Sequence, residues 1–377
     1  MSASPAVPLM PEGGTDHASC RLREARSFTY QPWNVGFPRG DSYGTPTLPT
    51  SGVAKVQLIA IEFPDALGTD KELLDAETQI AEFNRWFDFN SNGTLSFQWQ
   101  FPKRWFRMSK PVPQYGFQKG VREKVGLIAS EMISLADPHV DFTDSDFVFV
   151  LFPRTIKLGE PDVGTVNDSL QSSEGRIKNL FGGAEYFYKN KYELWSFWVH
   201  EWGHPMGLAG HTPRSNISIM DNQNGSSVVL GVWDAFFTGW LGPDQLYCMP
   251  TSKTTLEISL VPLERNQHSP RGVIIPISQT NALVVESHRA EGWGARMGAG
   301  RYGVAVYWID TTMDTDRYAG STGYIDTDAG ARWADHVVPA GKSRIFDLLL
   351  VGDTITYKGV TVDFVKTGDV DTVKISR

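Results

Sequence analysis

Residues 200–211 read HEWGHPMGLAGH, and this stretch constrains the fold and the chemistry of the chain more than any other. It contains the pattern H-E-x-x-H, in which His200 and His204 are four residues apart. On a helix, positions i and i+4 lie on the same face, so both imidazoles can reach one metal ion. Glu201 stands where a carboxylate can take a proton from metal-activated water. The stretch therefore predicts one catalytic zinc ion, with His200 and His204 as ligands and Glu201 as general base.

The residues around this motif favour the same interpretation. The preceding LWSFWV, residues 194–199, is apolar and aromatic, as expected for a buried helix. Gly207 can adopt a left-handed conformation and end that helix, and a third histidine, His211, follows. Residues 218–221 read as a tight turn that carries Met220. This order of features is that of a metzincin site; the alternative is a structural pair of buried histidines, with Met220 as an ordinary core residue.

The sequence leaves the third metal ligand open. The metzincin pattern places this ligand at residue 210, which is a glycine here, and His211 comes one step later. Because a flexible glycine can absorb one extra residue, His211 is the first choice, followed by Asp221 and then Asp234. No glutamate follows the motif until Glu257, which argues against the zincin class that takes its third ligand from a glutamate on a later helix.

A peptidase site also needs a second stabiliser of the oxyanion besides the metal. Tyrosine and histidine often serve in this role. The candidates are Tyr186, Tyr188, Tyr192 and His288.

Composition excludes some partners. The net charge is −8 and no cluster of five basic residues occurs, so we expect no nucleic-acid partner. No apolar run reaches the roughly 18 residues that a membrane helix needs. The first residues, MSASPAVPLMPEGG, lack the basic start and apolar stretch of a signal peptide. We expect a monomer that is either intracellular or secreted and presented here without its leader.

The two cysteines, Cys20 and Cys248, bear on the compartment. They could form one disulfide that closes a long loop, or they could be two buried thiols. A further alternative is that Cys20 caps the zinc as a latency switch, although its surroundings, ASCRLREAR, match no known motif of that kind.

The order of predicted elements favours an α+β fold. Residues 1–50 are rich in Pro, Gly and Ser and read as an extended N-terminal arm. Residues 51–250 predict a mixed α/β, metzincin-like catalytic domain, with strands at 53–63, 95–101 and 146–152 and helices at 71–89, 121–136 and 194–206. Residues 251–377 predict an antiparallel β-sandwich, with strands at 256–260, 272–277, 282–286, 303–309, 344–351 and within 354–375.

A second ion is conceivable in the sandwich domain. Several aspartates cluster in a Gly/Thr-rich stretch and could bind a stabilising calcium ion, although a solvated loop is the preferred interpretation. They are Asp310, Asp314, Asp316, Asp326 and Asp328.

Most of residues 53–377 resembles, at low identity, the immune inhibitor A-type secreted bacterial metallopeptidases. The segments that carry this resemblance are AIEFPD (60–65), FNSNGTLSF (89–97), HEWGHPMGL (200–208), WDAFFTGWLGPDQL (233–246), LVVESHR (283–289), VAVYWIDTT (304–312) and VGDTITYKGVTVDFV (351–365). The resemblance implies a secreted zinc endopeptidase with a β-rich second domain, His200 and His204 as ligands and Glu201 as base. Family members usually carry an aspartate where Gly210 stands, so the third ligand and the degree of activity stay open.

We therefore expect a zinc-dependent endopeptidase that hydrolyses protein or peptide substrates. The alternative is a catalytically weak or inactive relative, in which the shifted third ligand has weakened the metal and the β domain binds a polymer or protein surface. A third possibility is an intracellular peptidase with a narrow substrate range, which free thiols at Cys20 and Cys248 would favour.

Overall fold

The computed structural model describes residues 8–22, 48–116, 122–156, 162–163, 170–183, 193–208, 217–310, 335–336 and 348–377. Backbone contacts divide the chain into two compact units. The parallel unit comprises Pro46–Phe89 and Gly93–Met206, and the antiparallel unit comprises Met1–Thr45, Asn90–Asn92 and Gly207–Arg377. The fold is α+β, as predicted, with one mainly parallel sheet and further antiparallel sheets. The domain limits at 50 and 250 stay a prediction.

The parallel unit is built from short and long strands with helices between them. Its strands are β1 (Gly52–Glu62), β2 (Leu95–Gln100), β3 (Trp105–Arg107), β4 (Phe147–Leu151), β5 (Asp162–Val163), β6 (Leu170–Gln171), β7 (Arg176–Ile177) and β8 (Leu180–Gly183). Its helices are α1 (Asp70–Ser91), α2 (Val112–Tyr115), α3 (Arg122–Ala136) and α4 (Leu194–Gly203). The main sheet has the order β2-β1-β4-β8-β5, and β3 also pairs with β1. Only the β5–β8 pair of this sheet is antiparallel among the described strands.

The alternation of side chains along β4, which reads FVFVL, explains why helices cover both faces of this sheet. Successive strand residues point to opposite faces. Val148 and Val150 belong to the core that α3 closes on one face. Phe147 and Phe149 stack on tryptophans of α4 on the other face. A strand that is apolar at every position is therefore buried on both sides, as is usual in parallel sheets.

The antiparallel unit consists mainly of strands. They are β9 (Leu246–Cys248), β10 (Thr255–Leu260), β11 (Gly272–Pro276), β12 (Asn281–Arg289), β13 (Tyr302–Asp310), β14 (Asp335–His336), β15 (Thr354–Tyr357), β16 (Val360–Lys366) and β17 (Asp371–Ser376). Among its described residues, one helix, α5 (Val232–Thr238), and two short 3₁₀ helices, His17–Cys20 and Gly292–Met297, accompany them. The sheets have the orders β14-β13-β12-β11-β9 and β10-β17-β16-β15.

These two sheets share one hydrophobic core, to which β10, β16 and β17 contribute from one sheet and β11, β12 and β13 from the other. Alternating apolar residues on each strand face this core, which is the pattern expected for two packed sheets. The β9–β11 pair is parallel, and β9 lies just before the region 251–377 for which an antiparallel sandwich is predicted. Three residues are too few to show a period of two, which is why β9 escaped prediction.

Residues 358–359 form a tight hairpin turn. Lys358 and Gly359 have φ angles of 48° and 82°, and they join β15 to β16 with Tyr357 paired to Val360. Positive φ at both central residues is typical of the turns that suit the twist of a two-residue hairpin. The first half of the strand predicted at 344–351 lies outside the described residues, and in the second half Leu349 forms an isolated bridge with Val304.

The N-terminal segment 8–22 is anchored within the antiparallel unit by a disulfide between Cys20 and Cys248. Backbone hydrogen bonds reinforce this anchor, since the Cys248 N–H donates to the Gly14 carbonyl over 2.8 Å. A side chain at residue 14 would collide with the Tyr247 ring, so the close approach requires glycine there. Because Cys20 is bridged and fully buried, the idea that its thiolate caps a zinc ion is wrong for this state.

None of the helices in the described parts of the chain is both long and apolar enough to cross a membrane.

Candidate metal centre

Helix α4 carries the H-E-x-x-H motif and is held in the parallel unit by aromatic packing. Trp198 stacks on Phe149 with ring centroids 5.3 Å apart, and Trp202 stacks on Phe147 at 5.5 Å. The two tryptophans are four residues apart and so share one face of the helix. Stacked aromatic pairs add about 0.5–1.5 kcal/mol each to the free energy of burial. This packing fixes the rotation of α4 about its own axis.

The start of α4 is also fixed by side-chain hydrogen bonds. The backbone N–H of Trp195 donates to Gln79 Oε1 on α1 over 3.1 Å. The indole N–H of Trp195 donates to the carboxylate of Glu193 over 2.6 Å. The first of these bonds satisfies a backbone donor in the first helical turn, which has no partner inside the helix.

His200 and His204 bring their ring nitrogens together, as the i, i+4 spacing predicts. Their Nε2 atoms are 3.2 Å apart, and their rings are nearly perpendicular, with an angle of 89° between planes. His200 is fully buried and His204 is half-buried. Helix α4 ends at Gly203, but His204 keeps helical backbone angles of φ −60° and ψ −56°. The helical spacing of the motif therefore extends to its last residue, His204.

The separation of the two nitrogens can be compared with what zinc requires. Two nitrogen ligands at about 2.05 Å with a tetrahedral angle between them lie about 3.3 Å apart. The observed 3.2 Å fits this value. A direct imidazole–imidazole hydrogen bond spans a similar distance, so the geometry is also that of a structural histidine pair.

Glu201 and Gly207 complete the described part of the motif. Glu201 lies on α4 next to His200 and is partly exposed, as a residue that meets a substrate must be. Gly207 has a φ angle of 97°, the left-handed conformation predicted to end the helix. His211, the first choice for the third ligand, lies outside the described residues. Within the described ranges, no group of three or more potential metal-ligating side chains occurs.

The methionine turn predicted at 218–221 is present in the antiparallel unit. The backbone N–H groups of Asp221 and Asn222 both donate to the Ser218 carbonyl over 3.1 Å. Met220 is buried and Asp221 is partly exposed. Burial, together with the charges of Asp221 and Glu286, raises the pKa of Asp234 well above its usual range. Because Asp234 is buried whereas Asp221 is partly exposed, Asp221 stays ahead of Asp234 as an alternative ligand.

The candidates for the oxyanion stabiliser divide into two groups. Tyr186, Tyr188 and Tyr192 lie outside the described residues. His288 is on β12, is fully buried, and has both ring nitrogens within hydrogen-bond distance of glutamates of its own unit. A ring with both nitrogens engaged cannot also bind a substrate oxyanion, so the idea that His288 serves this role is wrong.

The aspartates considered as a calcium site fall mostly beyond the part of the chain that the structure describes. Asp314, Asp316, Asp326 and Asp328 lie outside the described residues, and Asp310 is the last residue of β13.

The buried pair of Glu286 and His288 is a feature that the motif-based prediction missed. The signal was available in LVVESHR, because residues two apart on a strand share one face. Two ionisable residues on the same face of an otherwise apolar strand indicate a buried polar cluster.

Comparison with known proteins adds no family assignment: the chain matches no protein-family model and is similar to no curated protein sequence.

Proposed function

We propose that the chain is a zinc-dependent endopeptidase of the metzincin type, related to the immune inhibitor A-type secreted metallopeptidases. The observation that carries this proposal is the 3.2 Å approach of His200 Nε2 and His204 Nε2 on one helix, with Glu201 between them in sequence. The left-handed glycine at 207 and the methionine turn at 218–221 follow in the metzincin order and add support. His211 would complete the ligand set, with Asp221 as the alternative.

The residues of α4 would divide the work of peptide hydrolysis. His200 and His204 would hold the zinc ion, which when bound supplies a Lewis acid and lowers the pKa of water. The Glu201 carboxylate would accept a proton from the attacking water and return it to the leaving amine. A positioned acid–base group of this kind contributes about 10²- to 10⁴-fold to the rate.

Secretion is part of the proposal. The Cys20–Cys248 disulfide supports it, because such bonds persist mainly in oxidising compartments. The same bond counts against an intracellular peptidase with free thiols. We propose a monomer that acts on protein or peptide substrates, has no nucleic-acid or membrane partner, and could hold a calcium ion in its second domain.

The most direct test of the enzyme proposal compares Glu201→Gln with the wild type. Both proteins should bind one equivalent of zinc, but the variant should cleave casein or a peptide library at least about a hundredfold more slowly, because it lacks the acid–base carboxylate. Glu257→Gln is the matched control, since Glu257 is exposed on β10, and it should retain full activity. A chelator should abolish cleavage by the wild type. Undiminished cleavage by Glu201→Gln would remove Glu201 from the mechanism.

The same preparation tests the third ligand. His211→Ala should lower zinc affinity if His211 binds the metal, and unchanged affinity would move the role to Asp221, to be tested as Asp221→Asn. A wild-type protein that lacks zinc and cleaves nothing would favour the alternative, an inactive relative whose β domain binds a polymer or protein surface.

A further inference from the structure

The backbone between the methionine turn and α5 is buried but irregular. Residues 227–231 form neither helix nor strand, yet they are almost completely excluded from solvent. Buried backbone groups must find partners. Here the Val228 N–H donates to the Trp293 carbonyl over 3.1 Å, and the Leu230 N–H donates to Asn90 Oδ1 over 3.0 Å. This segment therefore depends on bonds from remote parts of the antiparallel unit.

Two buried glutamates hold the ends of this segment. Glu264 Oε1 accepts a hydrogen bond from the Ser227 hydroxyl over 2.9 Å. Glu286 Oε2 accepts one from the Val232 N–H, the first residue of α5, over 2.7 Å. An anionic side chain at the start of a helix satisfies free N–H groups and complements the helix dipole. Without these carboxylates, both ends of the segment would lose their anchors.

His288 lies between the two carboxylates. Its Nδ1 is 2.9 Å from Glu264 Oε1, and its Nε2 is 3.1 Å from Glu286 Oε1. A neutral imidazole has only one N–H and would turn a lone pair toward one of the two carboxylates. The geometry therefore requires a ring protonated on both nitrogens when both glutamates are ionised.

The positive and negative charges of His288 and the buried residues around it balance within the antiparallel unit. Burial lowers the pKa of Arg271 only to about 10, because Glu264 and Glu286 oppose the shift, so it stays cationic at neutral pH. Burial alone would lower the pKa of His288, but Glu264 and Glu286 together raise it to about 10. Burial likewise raises the pKa of Tyr307, which donates to Glu286 over 3.0 Å and stays neutral. The cations Arg271 and His288 therefore offset the carboxylates of Glu264 and Glu286.

Segment 227–231 also holds the methionine turn in place. The Ile219 N–H donates to the Val229 carbonyl over 3.0 Å. A Cβ placed at Gly231 would lie 3.7 Å from both Ser218 Oγ and Glu286 Oε1, so the turn, the segment and the carboxylate pack against one another. A change at Glu264 or Glu286 therefore reaches the turn through segment 227–231, which contacts both.

We propose that His288 is a positioning residue: as a buried cation between Glu264 and Glu286, it fixes segment 227–231 and the start of α5, and thereby the turn that carries Met220. Its importance for a zinc site rests on the proposed function, whereas its effect on the segment does not. The role is distinct from catalysis, since His288 reaches no substrate.

The first test uses hydrogen exchange of the full-length protein. His288→Gln leaves two buried anions with one cation, and breaking such a network is strongly destabilising, so amide exchange at residues 228–233 should accelerate by about a hundredfold. In Glu264→Gln/His288→Gln the charges balance again, and the amide oxygen introduced at position 264 can still accept from Ser227, so most of the protection should return. His268→Gln, at an exposed site of the same unit, is the control and should change nothing.

Unchanged exchange in His288→Gln, or no recovery in the double variant, would overturn the proposal. If His288→Gln does not fold, the double variant should still fold, and its failure would count against charge balance. The second test needs no variant of the network: ring ¹⁵N NMR of the wild type at pH 8 should show one histidine protonated on both nitrogens. A neutral His288 ring would contradict the proposal.

Discussion

The two units bury histidines in opposite surroundings. In the parallel unit, His200 and His204 turn their Nε2 atoms toward each other at the edge of an aromatic layer. In the antiparallel unit, His288 turns both nitrogens toward the carboxylates of Glu264 and Glu286. An imidazole held between two carboxylates keeps both protons and has no lone pair for a metal, whereas a metal ligand must be neutral. Burial alone therefore does not mark a ligand; the partners of the ring do.

The two units also differ in the interactions that hold helix α4 and segment 227–231 in place. Helix α4 is fixed by stacked aromatic rings, while segment 227–231 and the start of α5 are fixed by hydrogen bonds to charged groups, with a disulfide elsewhere in the same unit. We expect the parallel unit to respond mainly to loss of apolar volume. The antiparallel unit should respond to reductant and to pH.

The largest expected effect on stability comes from the disulfide. A crosslink between residues 228 apart restricts the unfolded chain, so Cys20→Ser/Cys248→Ser should lower the free energy of unfolding by about 5 kcal/mol in the chain-entropy account. Urea unfolding should measure this loss of stability. Hydrogen exchange should show that the amides that lose protection lie in the antiparallel unit. Reductant should reproduce the loss in the wild type and have no effect on the double variant. Equal stability of oxidised and reduced wild type would refute this expectation.

Loss of aromatic volume should weaken the other unit. Trp202 is fully buried against Phe147, so Trp202→Ala should lower the free energy of unfolding by about 3–5 kcal/mol. Leu74→Ala is the control, because Leu74 on α1 is 62% exposed and should cost little. Urea unfolding should measure this loss of stability. The amides of the antiparallel unit should keep their slow hydrogen exchange. A cost below about 1 kcal/mol would show that α4 is held by something other than this packing.

The smallest expected effect is a pH dependence of the antiparallel unit. Because the folded pKa of His288 is raised to about 10, its stabilising contribution is complete below the unfolded value near 6.5 and is lost as pH rises toward 10. Its ring faces Glu264 and Glu286; Arg271 interacts with both of these carboxylates, and Tyr307 and Asp234 interact with Glu286. The difference in urea midpoint between wild type and His288→Gln should therefore shrink from pH 6.5 to pH 10. A difference that grows over this range would contradict the assignment.

Local patterns predicted much of the fold. The helix expected at 194–206 is found as Leu194–Gly203, and the strands expected at 53–63 and 146–152 are found as Gly52–Glu62 and Phe147–Leu151. These elements depend on periodicity within a single segment. The approach of His200 and His204 was predictable for the same reason, since four residues on one helix decide it.

Contacts between residues that are distant in the sequence could not be predicted. One partner of His288, Glu286, lies two residues away on β12, but the other, Glu264, lies outside that strand and approaches His288 only in the folded unit. Cys20 and Cys248 are joined across 228 residues, which spacing in the sequence cannot decide. The third metal ligand belongs to the same class, because a one-residue shift between Gly210 and His211 depends on loop conformation.

Zinc K-edge X-ray absorption of the purified protein tests whether His200 and His204 bind a metal ion. We expect one bound zinc with at least two imidazole ligands at about 2.0–2.1 Å, and loss of the imidazole signal in His200→Ala/His204→Ala. A protein that binds no zinc, or a zinc spectrum unchanged in that double variant, would contradict it.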